Sequence, residues 1–130
     1  LTWSALPGAS RHHLGSDLDV VDGNACPEGY EVQLTPSECS GMFAPFHKKL
    51  TELMNSEKSF GFSRVFVPGR GKIQPEQWHI AHLPTSRKRL ENFSLAGLRR
   101  IYERTEIACK SALLDNLDRL AEDYIYPYFI

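Results

Sequence analysis

The pattern of apolar residues changes along the chain, and this change constrains the fold more than any other feature. Up to about residue 83, short apolar runs and one helical stretch are separated by Pro and Gly, which favours strands and loops. Beyond that point apolar residues recur at three- and four-residue spacing, which favours helices. The order predicts an α+β fold, in which a small antiparallel sheet packs against helices. The 130 residues fit one domain, with a motif-bearing part over 1–83 and C-terminal helices over 84–130.

The segment Ser16–Asp22 has the alternation of a strand with one face on a core. Leu18 and Val20 are expected to face that core, and Asp17 and Asp19 to point the other way. The other candidate elements are strands over Phe62–Val67 and Gln77–Leu83, and helices over Pro45–Lys58, Thr85–Leu90, Leu95–Arg104 and Glu106–Asp123.

A long loop over Gly23–Ala44 separates the first strand from the first helix, and a loop of this length is usually functional or covalently fastened. Cys26 and Cys39 bracket much of it, so that a disulfide between them would fasten the loop. Cys109 lies in a helical pattern and is expected to be a small buried residue. The alternative is that all three cysteines are free thiols in a reducing compartment.

Charge and hydropathy exclude two classes of partner. Fifteen Lys and Arg face sixteen Asp and Glu, for a net charge of -1, which argues against a basic nucleic-acid-binding surface. The runs without a charge are short and broken by Pro and Gly, so we expect no membrane span. The sequence therefore predicts a soluble domain that binds or acts on something small.

The histidines cluster with acidic residues in two short segments, Ser10–Asp19 and Pro75–His79. Four of the five histidines lie in or directly beside them, namely His12, His13, His79 and His82. A catalytic zinc needs three protein ligands, an open coordination position, and a base that does not occupy the metal. The pattern of residues in these segments therefore predicts a metal site.

Specific residues fit each of these roles. His12, Asp19 and His79 can supply the ligands, and Glu76 the base. Gly15 allows a sharp turn between His12 and the strand that carries Asp19. Glu76 precedes His79 by three residues, so we expect it on a turn just before the strand.

The two motifs SRHHLGSDLD (10–19) and EQWH (76–79) together resemble those of the zinc D-alanyl-D-alanine metallopeptidases. These belong to a wider group that includes lysostaphin-type endopeptidases and the hedgehog signalling domain. The resemblance covers roughly Leu6–Leu83. It implies a hedgehog-like or D-Ala-D-Ala-peptidase-like fold, with one Zn²⁺ ion held by His12, Asp19 and His79, and with Glu76 as general base.

The same resemblance implies a substrate and a compartment. Family members cleave peptide bonds in peptidoglycan stem peptides, commonly next to D-alanine, so a periplasmic or extracellular location is expected. That compartment favours the Cys26–Cys39 disulfide. Ser10 matches the family serine at the substrate end of the site, and Trp78 is expected to flank the site.

The sequence departs from the family pattern at two places. Asp17 stands where many relatives carry a small residue, and it is a candidate for contact with substrate or for a position close to the ligands. The family also has an arginine upstream of the first motif, which helps to polarise the scissile carbonyl, but only nine residues precede Ser10 here. Either Arg11 or Arg70 takes that role, or an N-terminal segment is missing from this chain.

Carboxypeptidase activity on a terminal D-alanine is the first expectation. A dipeptidase or a cell-wall endopeptidase of the same family is the alternative enzyme. The alternatives from other classes are a zinc-stabilised binding module without catalysis, as in the hedgehog domain, and a structural fragment whose metal holds the loop after Gly15.

Overall fold

The computed structural model describes residues 3–130, and within them lie six α-helices and one three-stranded antiparallel sheet. This architecture agrees with the predicted α+β class. The strands are β1 (Asp17–Asp19), β2 (Phe62–Ser63) and β3 (His79–His82). The helices are α1 (Pro36–Ser40), α2 (Ala44–Met54), α3 (Leu83–Leu90), α4 (Leu95–Arg104), α5 (Lys110–Asp115) and α6 (Leu117–Tyr124). Short 3₁₀ helices span Arg11–Leu14, Gly23–Ala25, Glu57–Ser59 and Tyr126–Tyr128.

The sheet is small, and β3 lies in its middle between β1 and β2. Asp19 of β1 lies directly opposite His79 of β3. On the other side of β3, Ser63 of β2 lies opposite Ala81. All three strands are shorter than predicted; Val65 and Phe66, for example, leave the sheet and pack in the hydrophobic core.

The first strand has the opposite orientation from the one that its apolar residues predict. Leu18 is 53% exposed, whereas Asp17 is only 5% exposed, so the prediction that Leu18 faces the core is wrong. The inward face of β1 is polar because Asp17 finds charged and hydrogen-bonding partners there. A buried carboxylate is tolerated when it is paired in this way.

Two apolar clusters form the core. The C-terminal helices and an N-terminal residue make the first cluster, which contains Leu6, Leu98, Tyr102, Leu117, Ala121 and Ile125. The second lies next to the sheet and contains Val65, Phe66, Ile73, Ala81 and Tyr128. Tyr124 packs against both clusters, so the C-terminal helices support the motif-bearing part.

The predicted helix over Leu95–Arg104 is confirmed as α4, and the hydroxyl of Ser94 caps it by accepting a hydrogen bond from the backbone N–H of Gly97. The prediction of one long helix over Glu106–Asp123 is wrong, because the chain breaks at Asn116 into α5 and α6. The Asn116 amide donates to the carbonyl of Ala112, which satisfies a group in the last turn of α5.

The predicted disulfide between Cys26 and Cys39 is wrong, because both cysteines are free. Cys39 is buried in α1, and the Sγ of Cys26 lies 3.6 Å from the carbonyl oxygen of Asp22. Cys109 is also free and is exposed rather than buried. No helix within residues 3–130 is long and apolar enough to cross a membrane.

Glu38 fastens the long loop in place of a disulfide. Its carboxylate accepts hydrogen bonds from the hydroxyl of Tyr30 and from the backbone N–H groups of Gln33 and Thr35. Thr35 and Glu38 also form a capping box that begins α1. The backbone hydrogen bond from Gln33 is the main reason that the pKa of Glu38 falls from 4.5 to about 2, against the opposing effect of burial.

Candidate metal centre

Local backbone geometry brings the three predicted ligands together. His12 lies on the 3₁₀ helix Arg11–Leu14, which ends at Gly15 in the left-handed region, with φ of 60°. This conformation costs glycine little and turns the chain into β1. Asp19 then projects toward His79, because residues opposite each other in an antiparallel pair have side chains on the same face.

The donor atoms of the three predicted ligands lie close together. The Asp19 carboxylate is 3.3 Å from Nε2 of His12 and 3.3 Å from Nδ1 of His79. One donor atom from each of the three residues lies within 4.8 Å of the others. Two imidazole nitrogens and one carboxylate are a donor set that Zn²⁺ accepts in catalytic sites, so the residues fit such a metal.

The opposite edge of the His79 ring contacts Asp17. Nε2 of His79 lies 2.8 Å from Oδ2 of Asp17, whose side chain is 0% exposed. A hydrogen bond donated from Nε2 to the carboxylate leaves the lone pair of Nδ1 facing Asp19. This is the arrangement in which a carboxylate fixes the tautomer and orientation of a metal-binding histidine.

Arg11 completes this buried network. Its Nε donates to Asp17 at 2.7 Å, and its Nη1 donates to the backbone carbonyl of Tyr128 at 2.6 Å. The hydroxyl of Ser16 also donates to Asp17. Burial alone would raise the pKa of Asp17, but the hydrogen bonds with His79 and Arg11 outweigh it and hold the pKa below its ordinary value. Asp17 is therefore held as a carboxylate.

Glu76 lies beside the ligand cluster on the segment before β3. Its backbone N–H donates to the carbonyl of Phe66, and its Oε2 lies 3.5 Å from Nδ1 of His79. Burial, helped by the charge of Asp19, raises the pKa of Glu76 from 4.5 to about 7. The positive charge of a metal at the neighbouring ligands acts in the opposite direction and favours the carboxylate.

The cluster opens into a cavity of about 300 Å³, which we call the metal cavity. It is lined by Trp3, Ala5, Ser10, Arg11, His12, Asp19, Gln33, Leu34, Phe66, Ile73, Glu76, Trp78 and His79. Ser10, predicted at the substrate end of the site, and Trp78, predicted to flank the site, therefore both line this cavity. Trp78 is only 5% exposed, and the centroids of its ring and that of Trp3 are 5.9 Å apart.

The structure brings none of the remaining candidate residues into the ligand cluster itself. His13 is exposed, and Nδ1 of His82 lies 2.7 Å from the hydroxyl of Thr85. Arg11 lines the metal cavity but is engaged by Asp17 and Tyr128, and Arg70 donates to the carbonyl of Val65. All three nitrogens of the Arg11 guanidinium are thus engaged, and Arg70 is not among the residues that line the metal cavity.

Two contributors to this region were missed by sequence reasoning. Tyr128 supplies the carbonyl that binds Arg11, although the two residues are 117 positions apart, and no local sequence signal indicates such a contact. Arg64 lies 13 positions from Gln77 and donates to its carbonyl, just before the EQWH histidine. Arg64 lies inside the predicted strand Phe62–Val67, and a strand prediction gives no indication of this contact with Gln77.

Comparison with known proteins supports the family resemblance. The family model of VanY, described as D-alanyl-D-alanine carboxypeptidase, matches residues 1–85, which contain both motifs. A protein of Haemophilus influenzae that carries the name "Uncharacterized protein" is 29% identical over 128 residues, which cover 95% of each chain. No solved structure gives a significant match to the chain.

Proposed function

Since the chain belongs to the VanY family of D-alanyl-D-alanine carboxypeptidases, we propose that it hydrolyses peptide bonds in peptidoglycan stem peptides with the help of one zinc ion. The favoured bond is the terminal D-alanyl-D-alanine bond. The proposal includes a periplasmic or extracellular location, because the substrate is found there. One observation carries the proposal: His12, Asp19 and His79 converge beside a buried Glu76 in a single open cavity.

The proposed zinc ligands are His12, Asp19 and His79, whose donor atoms suit that metal. When bound, zinc acts as a Lewis acid toward the scissile carbonyl and lowers the pKa of a water molecule toward neutrality. Asp17 and Arg11 hold the His79 ring so that Nδ1 faces the ligand cluster. We therefore assign Asp17 and Arg11 a positioning role, and leave contact with substrate to Ser10 and Trp78.

Glu76 is the proposed general base. Its carboxylate takes a proton from the attacking water and later gives that proton to the leaving amino group, so that it ends in its starting state. Its position fits this role, because Oε2 lies 3.5 Å from a proposed ligand and the residue lines the metal cavity.

The test replaces Glu76 with Gln, which keeps the shape of the side chain and removes the base. A stem pentapeptide that ends in D-alanyl-D-alanine is incubated with the zinc-loaded full chain, and the products are identified by mass spectrometry. We expect the wild type to release D-alanine and Glu76→Gln to lose at least about 10²-fold in rate, with zinc content unchanged. Glu28→Gln, on an exposed residue, is the matched control and should retain full activity.

The products also separate the alternatives. Release of a larger fragment, or cleavage of cross-linked peptides only, indicates an endopeptidase, and cleavage of free dipeptide only indicates a dipeptidase. A chain that binds zinc and stem peptide but cleaves no muropeptide is a binding module, and that result contradicts the proposed function.

A further inference from the structure

A second cavity, of about 390 Å³, lies between α2 and the segment from Arg64 to Gln77. We call it the basic cavity, because His47, Lys48 and Arg64 line it. Phe66 and Glu76 line both this cavity and the metal cavity, so the two share a wall. The basic cavity therefore borders the metal cavity at these two residues.

Within the described residues, the histidine that lines the basic cavity has no hydrogen-bond partner for its ring nitrogens. His47 is only 3% exposed, and among the described residues neither Nδ1 nor Nε2 has a hydrogen-bond partner. Its neighbour along the chain, Phe46, packs edge-on against the ring and offers no polar group. Since buried polar atoms in native proteins are nearly always satisfied, a ring without any partner indicates that a ligand or water contributes the missing one.

The two cations that line the basic cavity form no ion pair within residues 3–130, although Glu76 lines the same cavity. Arg64 donates to the carbonyl of Gln77, the hydroxyl of Thr51 and the carbonyl of His47, all neutral acceptors. Three of its five N–H groups are thereby used, and two remain. Neither Arg64 nor the exposed Lys48 forms an ion pair with a carboxylate of residues 3–130. A partly buried guanidinium without a counter-ion favours an anionic ligand.

We propose that the basic cavity is a subsite for a carboxylate of the peptide substrate, bound by Arg64 and Lys48 with a hydrogen bond to His47. The inference rests on the proposed function, because it takes the anion to be part of the peptide whose scissile bond lies at the metal centre. A peptide chain carries carboxylates, and the two cavities adjoin at Phe66 and Glu76, so a carboxylate of the bound peptide is the anion that we assign to the basic cavity. The carboxylate at the C-terminus is the one nearest to a terminal D-alanyl-D-alanine bond.

The subsite is tested by binding, which does not depend on catalysis. The probes are N-acetyl-D-alanine and its amide, and the imidazole resonances of His47 in the zinc-loaded full chain are followed by NMR. We expect the acid, and not the amide, to shift the His47 resonances. The dissociation constant of the acid should rise about tenfold in Arg64→Gln and several-fold in Lys48→Gln. Lys49→Gln, one residue away and outside the cavity lining, is the control and should bind as the wild type does.

Kinetics provide the second readout. The wild type should cleave a stem peptide with a free C-terminal carboxylate faster than the matching amide, through a lower KM, and Arg64→Gln should remove that preference. Lys48→Gln keeps the test valid if Arg64→Gln does not fold, because Lys48 is exposed and forms no ion pair with the described residues 3–130. The subsite is overturned if acid and amide shift His47 equally, or if the acid shifts only His12 and His79. It is also overturned if Lys48→Gln binds like Lys49→Gln.

The subsite and the proposed function can fail separately. A chain that cleaves no peptide but shows the His47 response to the acid refutes the proposed function and keeps the subsite.

Discussion

Replacing Asp17 with Ala should destabilise the fold far more than an ordinary surface substitution does. The Asp17 side chain is 0% exposed and that of Arg11 is 5% exposed, and their Oδ2 and Nε atoms are 2.7 Å apart. Without Asp17, the guanidinium stays buried and keeps only the carbonyl of Tyr128 as a partner. His79 loses its partner at Nε2 in the same variant.

The size of the effect follows from burial. Removing one member of a buried ion pair costs about 3–5 kcal/mol, because the remaining charge is left uncompensated. A small domain has a total free energy of unfolding of about 5–15 kcal/mol, so the variant loses a large fraction of it. Because the orientation of His79 is also released, zinc affinity should fall about 10–100-fold.

The assay is urea unfolding followed by circular dichroism, with zinc affinity measured by competition with a chelator. Asp115→Ala, on an exposed residue, is the control and should change the free energy of unfolding by less than about 0.5 kcal/mol. The double variant Arg11→Met/Asp17→Ala should be more stable than Asp17→Ala alone, because no buried charge remains. The reasoning is refuted if Asp17→Ala behaves like the control, or if the double variant loses the sum of the two single effects.

The remaining predictions concern the loop and the C-terminus. Because Cys26 and Cys39 are free, dithiothreitol should leave the thermal midpoint unchanged, and a thiol reagent should titrate three thiols in the unfolded chain. Glu38 has a pKa of about 2 instead of 4.5. The stability that its carboxylate contributes is therefore present above pH 4.5 and is lost as the pH falls toward 2. On acidification, the urea midpoint of Glu38→Gln should fall less than that of the wild type. Tyr128→Phe should cost about 1–3 kcal/mol in urea unfolding, because the buried N–H of Ile73 then loses its acceptor at 2.7 Å; an unchanged midpoint would contradict this.

The sequence motifs predicted which residues meet at the candidate site, because short-range geometry largely determines their positions. Gly15 turns the chain after His12, and antiparallel pairing sets Asp19 opposite His79. These features depend on spacing and on one glycine, both of which are visible in the sequence. The α+β class followed in the same way from the order of apolar patterns.

The orientation of β1 could not be read from alternation alone. The pattern in Asp17–Asp19 is the same whether Leu18 or the two aspartates face inward, and hydrophobicity favours Leu18. The actual choice depends on Arg11 and on the carbonyl of Tyr128, which lies 117 residues from Arg11. A contact at such separation leaves no trace in local periodicity.

The loop after β1 illustrates a signal that was present and overlooked. Thr35 and Glu38 have the spacing of a capping box, which predicts the start of α1. Cys26 and Cys39, which lie on either side of Thr35 and Glu38, instead favoured the prediction of a disulfide. The hydrogen bonds of Glu38 perform the fastening that was expected of that bond.

Anomalous diffraction at the zinc absorption edge, from crystals of the zinc-loaded chain, tests the central claim most directly. The account predicts a single strong peak at about 2.0–2.2 Å from Nε2 of His12, a carboxylate oxygen of Asp19 and Nδ1 of His79. Glu76 should lie beside that peak without coordinating it. The absence of a peak at these residues, or a peak in which Glu76 is itself a ligand, would contradict the account.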